Sequence, residues 1–355
     1  MQSTDFIYKN TSLLPDLDIY KAEAPSNIAL VKYWGKHGEQ LPTNTSISFT
    51  LNECKTKTQV KLLEKIEADD QFHFEIYFEN ERKPDFKPKI ETFLKRIEIY
   101  VPFLKSFKFE IRTENTFPHS SGIASSASGM AALAKCFMQM EQKMFVDLPK
   151  DYLAQKTSFL ARLGSGSACR STGGDLVVWG KHDDIAQSSN FYGIDYPYEI
   201  HKNFKSFCDT ILLVDQGQKQ VSSSVGHNLM HEHPFAKQRF KQADDNISKL
   251  ATILKSGDLM AFLNLVESEA LSLHAMMMTS QPYFLLMQAK TLEIINAIWA
   301  FRKETQIPVG FTLDAGANVH LLYPKSSETA VLKLIDQKLK YFCQNEAFIK
   351  DYVNL

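Results

Sequence analysis

Several things are missing from this sequence, and each absence narrows the field. There is no excess of charge of one sign: 40 Lys and Arg stand against 41 Asp and Glu, a formal net charge of −1. No basic arm is present either, which disfavours a general nucleic-acid or membrane-surface role. Anion recognition would therefore have to come from a few local groups. Cysteines are few and odd in number: Cys54, Cys136, Cys169, Cys208 and Cys343 are scattered without a CxxC pair. A disulfide framework or a zinc–cysteine site is not expected, and reduced thiols in a cytoplasmic protein fit better. No apolar stretch approaches the ~20 residues that a spanning helix needs. The opening MQSTDFIYKNTSLLPDLD has no basic region leading into an apolar core, so no signal peptide is expected. Internal repeats and low-complexity segments are also lacking.

What is present is ordinary globular material: 355 residues, 44% hydrophobic and 23% charged, enough for one large α/β unit or two apposed domains. The first third alternates with period two, at Ile47, Phe49 and Leu51, at Phe72, Phe74, Ile76 and Phe78, and at Phe107, Phe109 and Ile111. Between the last two sets the spacing predicts a helix over about 89–104, and the whole suggests a mixed sheet covered by helices. From Ser125 the period becomes 3.6, giving a helix with serines over its N-terminus. A second helix is expected over Tyr152–Leu163, then strands at Leu176–Trp179 and Thr210–Val214. Helical stretches follow over about 228–304. A strand pair, GFTLD and NVHLLY, and a C-terminal helix close the chain. A soft domain boundary is placed near 190.

Four segments could carry chemistry. FPHSSGIASSASGMAALA (117–134) is neither GxxxxGK[ST] nor GxGxxG, yet its small residues let backbone amides approach a phosphate at a helix start. Ser125, Ser126 and Ser128 could donate hydroxyls or help hold Mg²⁺; a plain serine-capped helix reads equally well. In ARLGSGSACRSTGGD (161–175), Ser165, Ser167 and Arg170 could line an oxyanion site, the guanidinium fork suiting a carboxylate or phosphate. GSGS alone is more often a turn. In GFTLDAGANVHLL (310–322), Asp314 ends a strand at a tight turn and could accept a proton or hydrogen bond from a substrate hydroxyl, or simply bond its own backbone. In APSNIALVKYWGK (24–36), Lys32, Tyr33 and Lys36 could face one pocket with Asn27, or form a solvated edge. HNLMHEH sets His227, His231 and His233 in a metal-like cluster, but without HExxH or a spaced acidic partner it reads as a polar helix surface rather than a zinc site.

Taken together and in this order, the four segments resemble the diphosphomevalonate decarboxylase family of the GHMP kinase superfamily. The family pattern A-P-x-N-I-A-x-x-K-Y-W-G-K is met by Ala24, Pro25, Asn27, Ile28, Ala29, Lys32, Tyr33, Trp34, Gly35 and Lys36, and L-P-T-N-x-S-I-S follows at 41–48. F-P-x-x-x-G-L-A-S-S-A is met by Phe117, Pro118, Gly122, Ala124, Ser125, Ser126 and Ala127, with Ile123 in place of Leu. GSGSACRS at 164–171 and FTLDAGAN at 311–318 resemble the remaining two blocks. Departures are His119-Ser120-Ser121 after the proline, Thr172-Gly173-Gly174-Asp175 after the arginine, and Ala317 in place of a proline. None removes a functional group.

The resemblance implies an α+β, GHMP kinase-like fold, with mixed or antiparallel sheets packed with helices and two apposed halves, 1–190 and 191–355, around a deep cleft. It implies ATP-dependent decarboxylation of mevalonate 5-diphosphate, with Mg²⁺, in a cytoplasmic homodimer. Asp314 would orient or deprotonate the tertiary hydroxyl, Lys32 would offset charge, and Arg170 would hold the substrate carboxylate with help from Asn27. Tyr33, Lys36, Ser165 and Ser167 would bind the diphosphate. Pro118, Ser121, Gly122, Ala124, Ser125, Ser126 and Ser128 would cradle the ATP phosphates, with Ser125 and Ser126 nearest and also toward the metal. The alternatives are a monophosphate decarboxylase or a mevalonate 3-kinase of the same superfamily, another small-molecule kinase, or a nucleotide-binding module without catalysis.

Overall fold

One long strand organises the first half of the chain. The computed structural model describes residues 1–9, 13–66, 69–119, 122–217 and 223–355. In it β1 (Ile19–Val31) passes through a small hairpin, β2 (Lys36–His37) and β3 (Leu41–Pro42), into the 19-residue β4 (Ser46–Glu64). Strand β4 pairs with β1 along one edge. Its other edge is shared end to end by two strands introduced further along the chain, so that three strands are held to one backbone. Its six residues from Ser46 to Leu51 are all buried, and alternation begins only afterwards. That change of pattern marks where the strand stops being covered on both faces.

β5 (His73–Phe78), β6 (Glu81–Arg82), α1 (Lys87–Ile97) and β7 (Phe107–Asn115) follow. After them come α2 (Ser125–Met144), α3 (Lys150–Gly164), β8 (Leu176–Trp179) and β9 (Ile194–Asp195). The sheet runs β6-β5-β7-β4-β8-β9, with β1 also on β4, and only the β5–β7 pair is parallel. The helix expected over 89–104 spans Lys87–Ile97 instead. Pro102 keeps Val101 out of the helical region (φ −142°, ψ 57°), and a 3₁₀ turn takes over at Pro102–Ser106.

The second half carries β10 (Ser206–Leu212), α4 (Ser223–Asn228), α5 (Ala236–Ser256), α6 (Leu259–Met278) and α7 (Ala289–Thr305). β11 (Gly310–Thr312), β12 (Val319–Pro324), α8 (Glu328–Gln337) and β13 (Phe348–Asn354) complete it. Its antiparallel sheet has the order β11-β12-β10-β13. The sequence reading ended on the C-terminal helix and missed β13, whose FIKDYVN has little apolar periodicity and stands at the sheet edge. This sheet is buried on both sides. Ile211 and Leu322 point to a core shared with Ile47, Phe49 and Phe262, while Leu212, Leu321 and Tyr323 point to another built on α7 and α8. The first half has its own core around Phe93, Phe109, Phe137 and Phe159.

The halves are stitched by β13. The buried Asp351 carboxylate accepts backbone N–H bonds from Asn52 (2.7 Å), Glu53 (3.0 Å) and Cys54 (2.8 Å) in the middle of β4. Charge-assisted bonds of this kind leave costly orphaned donors when removed. Asp351→Ala is expected to lower unfolding free energy by about 3 kcal/mol, read as a shift in the urea midpoint; a change below about 0.5 kcal/mol would show that other contacts hold the halves together.

Candidate active site

All four sequence segments meet at a cleft of about 420 Å³ between the halves. Two irregularities in β1 help to place the first. The β1–β4 register shifts between Pro25 and Asn27, where Pro25 has no N–H to give, and again between Ala29 and Val31. The second shift lies just before Lys32, which leaves the sheet with its side chain directed into the cleft.

The Lys32 ammonium is fully buried and lies 3.0 Å from Oδ1 of Asp314, across 282 positions of sequence. Burial pushes the Lys32 pKa down, and Asp314 pulls it back up. Both backbone groups of Lys32 are also held: its N–H donates to Glu269 Oε2 (2.9 Å), and its carbonyl accepts from Asn44 Nδ2 (2.9 Å). Glu269 is wholly buried. It accepts from Arg239 (3.1 Å) and from Asn246 Nδ2 (2.6 Å) as well, so its charge is compensated on every side. Asp314 stands in the turn between β11 and β12, and His274 Nε2 donates to its carbonyl (3.1 Å). The same turn brings Gly316 against the serine-rich loop, where a Cβ on Gly316 would lie 3.8 Å from the Cα of Gly122.

Arg170 closes a short 3₁₀ turn at Gly166–Arg170 and is buried. Nε donates to Ser48 Oγ (3.1 Å), a second nitrogen donates to Ser46 Oγ, and the third reaches Asn27 Oδ1 at 3.4 Å. Ser46 and Ser48, two residues apart on a strand, share one face, and that spacing lets them hold both arms of the fork. Among the described residues the hydrogen-bond partners of the guanidinium are thus all neutral oxygens, and the centre of the Trp179 ring lies 5.9 Å from it. Asn27 lies behind Arg170 rather than on the cleft wall, its amide donating to Ser171 Oγ (2.7 Å).

Tyr33, Lys36, Ser165 and Ser167 all line the cleft. The Tyr33 hydroxyl is buried and has no hydrogen-bond partner among the described residues, while burial raises its pKa. Close packing at Gly166 shapes this wall, since a Cβ there would come within 2.7 Å of the Tyr33 oxygen. The serine-rich loop turns into α2 through Ala124, in the left-handed region (φ 42°, ψ 36°), at a cost of about 1–2 kcal/mol. The start of α2 opens on the cleft at Ser125 and Ser126, while the Ala127 N–H already donates to the Ala124 carbonyl (2.8 Å). Ser126 Oγ accepts from Lys89 Nζ (2.8 Å). Two placements depart from expectation. Ser128 faces the sheet, sharing a hydrogen bond with Thr56 (2.6 Å), and Pro118 lies outside the lining residues. Ser121 falls outside the described residues.

The histidine cluster is corrected most. His227 and His233 are buried, not part of a polar surface. The His227 ring lies against Tyr33 and Trp34, with centroids at 4.2 and 4.7 Å, and it accepts the Gly35 N–H at Nδ1 (3.0 Å). Gly35 holds φ +111°, and a Cβ there would meet the Phe240 ring at 2.7 Å. Sequence reading also missed Asn44, Ser46 and Ser48, although the alternating hydroxyls of TNTSIS were a usable signal. Glu269, Arg239 and Lys89 gave none. A second cavity of about 160 Å³ adjoins the first at Lys89, Ser125 and Ser126, walled by Phe78, Phe86, Ile90 and Met130.

A buried ammonium paired with a cleft carboxylate, set between a helix start ready for anions and a fixed guanidinium, on this fold, defines a small-molecule enzyme of the GHMP kinase-like class. The comparisons narrow the class. Residues 24–191 match the diphosphomevalonate decarboxylase-like N-terminal domain, and residues 210–354 match the mevalonate 5-diphosphate decarboxylase C-terminal domain. The diphosphomevalonate decarboxylase of Debaryomyces hansenii is 32% identical over 90% of this chain and 82% of its own length. That of Saccharomyces cerevisiae is 31% identical over 90% and 82%. The mevalonate diphosphate decarboxylase structure from Staphylococcus aureus superposes with a TM-score of 0.80 at 26% identity, covering 95% of this chain and 96% of that one. A structure of MDDEF in complex with MVAPP, AMPPCP and magnesium gives the same score and identity over 95% and 97%. The chain belongs to the diphosphomevalonate decarboxylase family.

Burial holds the pKa of His227 down to about 3, with Lys36 and Arg170 adding to the effect, and that of His274 down to about 4, opposed by its bond to Asp314. Both are neutral when folded and free to protonate near 6.5 when unfolded, so the unfolded chain binds more protons below that pH and stability falls as pH falls. Between pH 6.5 and 5 each should contribute a loss of about 2 kcal/mol. His274→Gln should remove about that much of the decline in urea titrations at the two pH values; an unchanged slope would place the acid sensitivity elsewhere.

Proposed function

We propose that this chain converts ATP and mevalonate 5-diphosphate to isopentenyl diphosphate, ADP, phosphate and CO₂. The observation that carries this reading is the Lys32–Asp314 pair at 3.0 Å, in one cleft with Arg170 and the start of α2. A tertiary hydroxyl is a poor leaving group, and phosphorylating it makes it a good one. As the phosphate departs, positive charge develops at the tertiary carbon, and the electron pair of the carboxylate-bearing C–C bond moves in to form the alkene. Such chemistry needs two anion sites flanking one fixed carboxylate.

In this reading Asp314 orients the 3-hydroxyl and takes its proton while Lys32 offsets charge on the transferring phosphoryl group. Arg170, held by Ser46, Ser48 and Asn27, presents its fork to the substrate carboxylate. Tyr33, Lys36, Ser165 and Ser167 take the diphosphate. Gly122, Ala124, Ser125, Ser126 and the first backbone amides of α2 take the ATP phosphates, and the apolar cavity behind Lys89 takes the base. Mg²⁺ fits a site of this kind. Among the described residues no cluster of three His, Cys, Asp or Glu side chains is arranged for a metal, and a hard cation carried mainly by phosphates and water needs only a hydroxyl. Ser125 offers that oxygen, whereas the Ser126 oxygen already accepts from Lys89. When bound, Mg²⁺ would neutralise phosphate charge. Among the described residues no helix is long and apolar enough to cross a membrane, and we place the enzyme in the cytoplasm as a homodimer. We divide its halves near residue 190, with β9 lent by the second half to the first sheet.

ADP release with trapped CO₂, measured on mevalonate, its 5-monophosphate and its 5-diphosphate, tests the assignment; both products should form only from the diphosphate, and efficient use of either other substrate would overturn it. Asp314→Asn should lower kcat by at least 10³-fold while ATP binding persists, and near-normal turnover would remove Asp314 from its role. Arg170→Lys should cost roughly 10²-fold, because a point charge cannot reproduce a planar fork; unchanged kcat and KM would place the carboxylate clamp elsewhere.

A further inference from the structure

Two hydrogen-bond donors stand side by side in this cleft without partners among the described residues. The first is the Tyr33 hydroxyl. The second belongs to His227, whose ring lies against Tyr33 and lines the same cleft. The Gly35 N–H donates to His227 Nδ1 at 3.0 Å, so that nitrogen carries a lone pair and the ring proton resides on Nε2. Among the described residues nothing accepts from Nε2. A ring 8% exposed and packed between Tyr33 and Trp34 has little water to turn to. A donor that faces the cleft with no partner among the described residues, beside a buried Tyr33 hydroxyl that also has none, points to an acceptor that arrives with the ligand. With Lys36, Ser165 and Ser167 on the same wall, that acceptor is anionic oxygen.

We propose that His227 is a specificity residue that donates Nε2–H, as a neutral imidazole, to the terminal phosphate of the substrate's diphosphate, beside the Tyr33 hydroxyl. The proposal rests on reading Tyr33, Lys36, Ser165 and Ser167 as the diphosphate subsite. A neutral donor has a physical advantage here. Lys36 and Arg170 already crowd the site with positive charge, and a further cation would be repelled from it when the ligand is absent; the depressed pKa of His227 expresses that repulsion together with burial. Cations attract any anion, whereas an oriented N–H at a fixed place favours a ligand long enough to reach it. His227 would therefore separate diphosphate from monophosphate rather than raise affinity for both.

The bland alternative is that His227 only packs the aromatic stack and holds the Gly35 turn through Nδ1. Isosteric variants separate the two. In His227→Asn the amide oxygen stands near the Nδ1 position and the distal donor is gone. In His227→Gln the amide nitrogen stands near the Nε2 position and the proximal acceptor is gone. Binding of inorganic pyrophosphate, measured by calorimetry, is expected to weaken about tenfold or more in His227→Asn and to recover to within about threefold of wild type in His227→Gln. With mevalonate 5-diphosphate the loss in His227→Asn should fall on KM rather than kcat. The wild-type imidazole Nε2–H resonance should shift when pyrophosphate is added. Wild-type affinity in His227→Asn, or equal weakening in both variants, would overturn the proposal and leave the histidine a positioning residue for the Gly35 turn. Tyr33→Phe and Lys36→Met serve as the reference: if neither weakens pyrophosphate binding, the subsite reading itself fails, whereas weakening there with an intact His227→Asn rejects His227 alone.

Discussion

The geometry of this protein depends on one ion pair between a buried ammonium and a carboxylate at the cleft surface. Lys32 comes from the end of a strand in the first half and Asp314 from a turn in the second, and their 3.0 Å contact fixes the two halves against each other at the point where chemistry is expected. A lone buried ammonium would shed its proton, and one paired only with a carboxylate would gain little net stability. Here the pair sits on a wider frame. Glu269 holds the Lys32 amide, Asn44 its carbonyl, and Arg239 and Asn246 hold Glu269. Each of these groups has partners, so the charge at the centre is placed by hydrogen bonds rather than by packing alone.

The same logic extends outward along β4. Its first turn of sequence, Ser46 to Ser48, grips the guanidinium of Arg170; its middle is tied by Asp351 of the last strand; its far end pairs with β7. A strand that serves three partners cannot slide in register, because a shift of one residue would turn Ser46 and Ser48 away from Arg170 and Phe49 out of its core. Precision at the site is thus a property of the sheet, and the loops only complete it.

Much of this was legible in sequence because it is local. The hydroxyl-rich helix start at Ser125, the buried run Leu176–Trp179 and the turn after Asp314 each carry their signal within a dozen residues, and the structure forms them where that signal stands. The four chemistry-bearing blocks were also legible, and their order carried the family resemblance. What stayed hidden is whatever depends on a distant partner. Glu269 and Arg239 look like ordinary polar positions of two amphipathic helices until the fold brings them under Lys32. The three histidines looked like a wet helix surface because nothing nearby shows that Trp34 and Tyr33 will cover one of them. Ser128 was grouped with its neighbours, yet on a helix it points about 100° per residue away from Ser126 and lands against Thr56. The last strand was missed for a related reason, since an edge strand needs apolar residues on fewer of its positions.

Among the described residues the guanidinium of Arg170 is hydrogen-bonded by three neutral oxygens and lies 5.9 Å from the centre of the Trp179 ring. Burial pushes its pKa down, and the Asp314 carboxylate in the same cleft pulls it partly back up. A ligand that brings a carboxylate to this guanidinium would bind the folded chain and not the unfolded one, so that occupancy and thermal resistance become two views of one equilibrium.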